Sequence, residues 1–312
     1  MVEFFGEKLN TYRAQLHTHS STSDGLFPVG EVIARYAAEG YDIVCTSDHR
    51  IVNKMDSFDH RNMLVICGVE MHPYDNRIKD LTHLLCIGVP QDFDVSVGYE
   101  DKNDLNGPQR VIDAVNAANG ICFLAHPYWC GYRSDDILQL HGLAGIEVYN
   151  TSCRYVGKEY NMQIWDELCD NGMICNALAV DDIHGEGEFF GGWTMICSKE
   201  RTYDAVMEAL RNGNYYATQG PEFYKIDFAD GKLTAAFSPA VSVVAITNRY
   251  FGKFGTLPPA HGKTPGSPIN EITLDFSDFV RNCRNNEKSG YIRLQIIDSN
   301  GRYAWTNPIT IK

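Results

Sequence analysis

No apolar stretch in this 312-residue chain is long enough to span a membrane. The opening MVEFFGEKLNTYR lacks a basic region followed by a long apolar one. No secretory leader is therefore expected, and the chain reads as cytoplasmic. No two cysteines stand in a CxxC pair, which leaves a thiolate zinc site or a redox dithiol without support. A disulfide framework is not expected either. Cys45, Cys67, Cys86, Cys122 and Cys175 sit in or beside apolar runs, where free cysteine behaves as a small hydrophobe. Positive charge is scarce: 27 basic against 40 acidic residues give a net −13, with residues 222–312 at +3 and the remainder at −16. Such a body repels a long nucleic acid. A small anion can still bind where divalent ions supply the missing charge. There is no internal repeat and no low-complexity tract.

What is present is an ordinary globular composition, 44% hydrophobic, ample for a core. Up to about residue 218, strand-like and helix-like segments alternate. Strands are expected around Ala14–His17, Tyr41–Cys45, Met63–Val69, His83–Val89, Gly120–Leu124, Gly145–Tyr149, Met173–Ala179 and Gly192–Cys197. Helices are expected from Pro28 to Gly40, from Pro108 to Gly120, over Lys158–Asn171 before Gly172, and over Thr202–Asn212 before Gly213. This alternation argues for a mostly parallel sheet or barrel. After Pro221 helical periodicity is no longer expected. Alternating runs such as KLTAAF, VSVVAIT, EITLDF and YIRLQIID take over, with a tight turn at Asn300-Gly301 and a long Gly/Pro-rich loop over Phe251–Pro268. Two domains follow: 1–221, and a small all-β domain over 222–312 of unread role.

Six of the ten histidines fall in short segments that also hold carboxylates. These are His17-Thr18-His19 with Asp24, Asp48-His49, Glu70, His83, His126 and Asp182-Ile183-His184. His17 and His19 are two apart, so on a strand both point to one side, and Asp182 and His184 repeat that spacing. Asp181 would face the other way. A carboxylate such as Glu70 after a buried run is costly unless neutralised. His72 shares its parity and is read as structural. His17, His49, Glu70, His126 and Asp182 each stand at or just past the C-terminal end of an apolar run. In a barrel those ends share one face, whereas an open sheet spreads them over strand spacings of about 4.8 Å. His83 instead begins its run. Either its strand is antiparallel to its predecessor, or it projects from the loop before.

Mixed histidine and carboxylate ligation suits Zn²⁺, Mn²⁺ or Fe²⁺. Such ions lower the pKa of bound water from about 15.7 to about 7 and clamp attacking and leaving oxygens. That favours phosphoester hydrolysis and leaves amide or lactone hydrolysis open. Arg154 and Arg133, after barrel strands, are candidates to meet substrate phosphate.

The motifs HTHSSTSDG, TSDH, GVE, HLL, AHP and DDIH, in this order, resemble the PHP (polymerase and histidinol phosphatase) family. The likeness runs from about Leu16 to Pro221 and is to the stand-alone metal-dependent phosphoesterases. It implies a distorted (β/α)7 barrel, so one of the eight strand-like runs lies outside it, and a centre of two or three divalent ions. By resemblance His17, His19, Glu70 and Asp182 hold the first ion. Glu70 bridges to a second held by His83 and His126, and Asp24, His49 and His184 hold the third. Asp24 stands where some members carry histidine, which leaves two ions against three open. The segment ending GRYAWTNPITIK resembles the β-sandwich extension of some members.

The expected function is hydrolysis of a small phosphorylated substrate, a nucleotide or sugar phosphate, by a metal-bridging hydroxide. Asp24 or a metal-linked histidine would protonate the leaving alcohol. A 5′-3′ exonuclease on short oligonucleotides and a non-catalytic metal-binding or regulatory module are the alternatives. No membrane or long nucleic-acid partner is expected.

Overall fold

The computed structural model describes residues 1–99, 106–258, 267–286 and 288–311. The fold is mixed α/β, with one large sheet and, among the described residues, seven α-helices. Seven strands lie side by side in chain order. Glu7–Gln15, Ile43–Thr46 and Leu64–Met71 are parallel. Leu84–Ile87 then runs antiparallel to both Leu64–Met71 and Ile121–Leu124. From Ile121–Leu124 through Gly145–Asn150 to Asn176–Val180 the strands are parallel again. Past the two outer strands, Thr18 and Ile183 meet in an isolated parallel bridge. There Asp182 N donates to His17 O at 3.0 Å and His19 N to Ile183 O at 3.2 Å.

Because Leu84–Ile87 is reversed, its beginning lies on the same side as the C-terminal ends of its neighbours. That is why His83 reaches the face on which the other strands end. The eighth expected strand, Trp193–Ser198, does not extend the series in parallel. It runs antiparallel to Glu7–Gln15 and to Tyr215–Thr218.

Helix Val29–Ala38 begins after Pro28, and Gly40 follows it with φ +76°. Helix Gly107–Ala117 has Pro108 in its first turn. Tyr203–Asn212 is capped by Thr202, whose Oγ1 accepts from Ala205 N at 3.4 Å, and ends at left-handed Gly213. Met162–Asp170 starts four residues later than expected from Lys158. The reason is a competing backbone: Asn150 N bonds Glu159 O at 3.0 Å and Asn161 N bonds Val148 O at 2.9 Å. Those bonds hold 159–161 extended along strand Gly145–Asn150.

In the C-terminal part, Phe223–Ala229, Lys232–Ala240 and Ile269–Asp275 pair antiparallel in sequence. Ser242–Thr247 pairs with Gly290–Ile297, which continues to Tyr303–Thr306 and Ile309–Ile311. Phe223, Leu233, Phe237, Val243, Ile292 and Leu294 pack between these strands. The first strand of the chain joins them: Val2–Phe4 pairs parallel with Phe223–Ala229, and Val2 and Phe4 enter the same core. Two expectations need correction. A helix, Ser277–Asn285, does occur here, burying Val280 and Cys283 with Phe276 and Phe279 packed beside them, a short helical pattern set between two alternating strand runs. Within the Gly/Pro-rich stretch, Gly252–Thr256 is a strand paired with Ser242–Thr247; residues 259–266 lie outside the described residues. The two parts are tied by buried Arg293, whose Nε and Nη2 each donate to Asp166 at 2.8 Å.

All ten cysteines are unpaired, with Cys45, Cys86, Cys122 and Cys175 buried. No helix among the described residues is long and apolar enough to cross a membrane.

Candidate metal centre

The strand ends deliver nine side chains to one place. At the bottom are four buried groups: His17, His19, Glu70 and Asp182. His17 Nε2 lies 3.2 Å from Asp182 Oδ1, 3.4 Å from Glu70 Oε2 and 3.1 Å from His19 Nε2. His19 Nε2 lies 3.0 Å from Asp182 Oδ1 and 3.2 Å from Glu70 Oε2. Four donors held about 2.0–2.1 Å from one tetrahedral ion stand roughly 3.3 Å apart. The observed spacing matches. Glu70 Oε2 and Asp182 Oδ1 are buried without a well-formed hydrogen bond among the described residues. Buried carboxylate oxygens left this way are costly, and a cation at their common focus removes the cost. The donor set therefore fits a divalent ion.

Two further groups adjoin it. Glu70 Oε1 faces His83 Nδ1 at 2.9 Å and His126 Nε2 at 3.4 Å, while His49 Nδ1 stands 3.0 Å from Glu70 Oε2. Glu70 thus has one oxygen toward each of two clusters. Asp24 forms the outer group, with its Oδ2 3.5 Å from His49 Nε2 and 3.6 Å from His184 Nε2, and its Oδ1 3.8 Å from His19 Nδ1. The Asp24 side chain is 53% exposed, against 0–6% for the four at the bottom. The site thus runs from a buried floor to a solvent-exposed mouth. That contrast separates the two ends of the site.

The charges are mutually sustaining. Burial alone would lower the His19 pKa, but the Asp182 and Glu70 carboxylates outweigh it and raise the imidazole to about 9. His17 is likewise raised, burial being overcome by Asp182, Glu147 and Glu70. Burial would raise Glu70, but His83 and His17 hold it well below the carboxylate range, and Asp182 is lowered in the same way. His72 is different. Burial, then the neighbouring His49 and His83, push it down to about 4, so it is a neutral packing partner at pH 7.

Several residues that the motifs did not single out hold this arrangement. Glu147, fully buried, accepts from His17 Nδ1 at 2.6 Å, from the His126 backbone N–H at 2.9 Å and from Asn150 Nδ2 at 2.9 Å. The same Asn150 amide reaches Asp182 Oδ2 at 3.1 Å. His126 and Asp182 both have positive φ, +25° and +54°, a strained conformation for non-glycine residues that such anchoring sustains. Asp48 collects Ser20 N, Ser20 Oγ, Ser23 N, Ser23 Oγ and Asn53 Nδ2 within 3.2 Å and so folds the loop that presents Asp24. A legible signal existed for Glu147: like Glu70, it is a carboxylate inside an apolar strand, here GIEVYN. Asp181 faces away, accepting from Thr151, Gly191, Gly192, Tyr36 and Phe190 within 3.0 Å.

A cavity of about 210 Å³ opens over the cluster, walled by Trp129, Ser152 and Cys153 beside the histidines and carboxylates. Neither candidate arginine lines it. Arg154 donates to Gly187 O, and Arg133, mostly exposed, stands 3.8 Å from Asp136. Larger hollows of about 310 and 730 Å³ beside Phe251 and Phe279 gather no histidine.

No protein-family model and no curated protein sequence matches this chain. Solved structures do. A two-domain protein from Bacteroides vulgatus, containing a predicted PHP-like metal-dependent phosphoesterase, is similar over 98% of this chain and 96% of its own, with TM-score 0.52 and 15% identity. An amidohydrolase from Chromobacterium violaceum covers 56% of this chain and 88% of its own, with TM-score 0.43 and 17% identity. A lesion-specific endonuclease from Pyrococcus furiosus covers 66% and 57%, with TM-score 0.47 and 17% identity. The first likeness spans both parts of the chain and is one of fold.

Proposed function

We propose that this chain is a metal-dependent phosphoesterase acting on a small phosphorylated substrate. The observation that carries this reading is the buried tetrad of His17, His19, Glu70 and Asp182. Its two carboxylate oxygens have no partner but the imidazoles around them. Together with the PHP motifs and the fold shared with a PHP-like protein, it favours phosphoester over amide chemistry. The finer architecture belongs to the same proposal. Residues 1–221 form a distorted (β/α)7 barrel, for which the bridge between Thr18 and Ile183 is support. Residues 222–312, with Val2–Phe4 added to them, form the smaller all-β part.

His17, His19, Glu70 and Asp182 would hold one ion; Glu70, His83 and His126 a second; Asp24, His49 and His184 a third. Mn²⁺, Zn²⁺ or Fe²⁺ bound there would polarise phosphoryl oxygens and acidify water. The residues of the chain do the rest. His17 and Asp182 are held in place by Glu147 and Asn150, so the donors do not reorganise on binding. With only two ions bound, Asp24, half-exposed at the mouth, is free of that role and placed to pass a proton to the leaving alcohol. The tight cavity excludes bulk water from the bottom of the site, and the net −13 of the chain favours a small anion over a long polyanion.

The test is an assay of metal-free protein with added Mn²⁺ against a chromogenic phosphomonoester and the matching diester, with Asp182→Ala as control. Metal-dependent turnover that Asp182→Ala abolishes supports the reading. Stoichiometric metal without turnover of either ester overturns it.

A further inference from the structure

The loops that follow strands Ile121–Leu124 and Gly145–Asn150 carry a positive balance beside the metal centre. Residues 127–133 and 151–158 hold three basic residues and no acidic one, in a chain whose net charge is −13. They also expose large aromatic side chains: Tyr128 at 47%, Trp129 at 46% and Tyr155 at 64%. These are neighbouring loops, since their strands pair in parallel. Lys158 Nζ lies 5.2 Å from the Tyr128 ring centroid, and the Arg154 guanidinium 5.3 Å from that of Tyr155.

Trp129 is the link to the metal centre. It stands one turn past His126, and its backbone N–H donates to His126 O at 2.9 Å. Its indole is 5.2 Å from the His126 ring and 5.5 Å from the His83 ring, both edge-to-face, and it walls the cavity. At about 210 Å³ that cavity is smaller than the roughly 300–1,000 Å³ that encloses a drug-sized ligand. It has room for the phosphoester end of a substrate and leaves the remainder at the mouth, where Trp129 is half-exposed. A half-exposed indole is costly to leave in water and offers a flat π surface. Flat π surfaces interleaved with cations are the chemistry that takes a nucleobase carrying a phosphate.

We propose that Trp129, whose indole walls the cavity, forms a nucleobase subsite, so that the substrate is a nucleotide rather than a sugar phosphate. This rests on the phosphoesterase reading above and goes further than it by choosing the substrate class. The base stacks on the Trp129 indole while the phosphate enters the metal centre, and Lys158 and Arg154 leave the neighbouring loop with a positive balance.

The test compares adenosine 5′-monophosphate with ribose 5-phosphate, which differ only in the base, on the Mn²⁺-loaded full chain. The expected kcat/KM ratio favours the nucleotide by roughly five- to 150-fold, the factor one base–aromatic stack contributes. Trp129→Ala should bring the ratio toward one, and Trp129→Phe should keep most of it. Equal kcat/KM for the two compounds overturns the proposal, as does a preference that survives Trp129→Ala. Calorimetric binding separates this from the phosphoesterase reading. If neither compound is turned over, tighter binding of the nucleotide that is lost in Trp129→Ala still supports the subsite. Equal binding of both compounds to the wild type overturns it.

Discussion

Glu147 Oε1 lies 2.6 Å from His17 Nδ1, with both side chains fully buried. That bond fixes the tautomer of His17 and turns its Nε2 toward Glu70 and Asp182. The same carboxylate holds the backbone of His126, so one residue orients two of the nine candidate ligands. Carboxylate–histidine pairs of this kind tune metal affinity by about 10–100-fold.

Glu147→Gln keeps the size and one acceptor oxygen but loses the charge. Its Mn²⁺ affinity should fall by about 10–100-fold while its fold is retained, as read by competition with a chromogenic chelator and by circular dichroism. Unchanged affinity would reduce the pair to packing.

Metal loading should release protons. His17 and His19 are both raised, His19 to about 9, by the carboxylates that face them. Each contributes stability to the metal-free protein that is fully present below about pH 6.5 and is lost as pH rises through the folded pKa. A bound ion needs both imidazoles neutral, so it replaces that lost contribution. The gain in Tm on adding Mn²⁺ should therefore grow between pH 7 and 9. A gain that is flat or falls over that range would contradict the assignment of these imidazoles to the ion.

Adjacent aspartates should fail in opposite ways. Asp181 accepts five hydrogen bonds in the core. Asp181→Ala strands those donors and should cost more than about 3 kcal/mol of stability. Asp182→Ala should cost metal and turnover, and less metal-free stability than Asp181→Ala, since the ion pairs it loses with His17 and His19 are offset by removal of a costly buried carboxylate. Urea unfolding of both metal-free variants, with metal content by mass spectrometry, distinguishes the two roles.

Gly25 follows Asp24 and packs against the backbone: a Cβ there would lie 2.8 Å from both His19 C and Ser20 N. Gly25→Ala should push the Asp24 loop outward and remove one ion per chain from the stoichiometry, leaving the buried tetrad loaded. Elemental analysis after gel filtration reads this directly. Full stoichiometry would show that the loop has slack.

The nine candidate donors were legible because metal chemistry needs unusual residues in unusual places. A histidine or carboxylate at the end of an apolar run is costly to bury unless an ion or a charged partner meets it, and the pairing of His17 with His19 follows from strand parity alone. Asp182 could be chosen over Asp181 on the same ground, and the structure shows Asp181 turned away into its own cage. Trp129 carried no such mark, since a tryptophan after His-Pro reads as well as core. The helix Ser277–Asn285 has the helical spacing Phe276, Phe279, Val280, Cys283, but it is masked by the alternating strand runs on either side.

Residue types and their period determined, without any structure, which side chains are candidate ligands and which strand ends carry them. Those signals are local: burial cost and two-residue alternation act within a few positions of the chain. Tertiary structure alone decided that Leu84–Ile87 is reversed, which brings His83 onto the shared face. It also decided that Val2–Phe4 packs beside Phe223–Ala229 across more than 200 residues, and that Glu147 sits behind His17 rather than in the cavity. Each of these is a pairing between distant segments. Its energy comes from hydrogen bonds and buried area that exist only once both partners are in place.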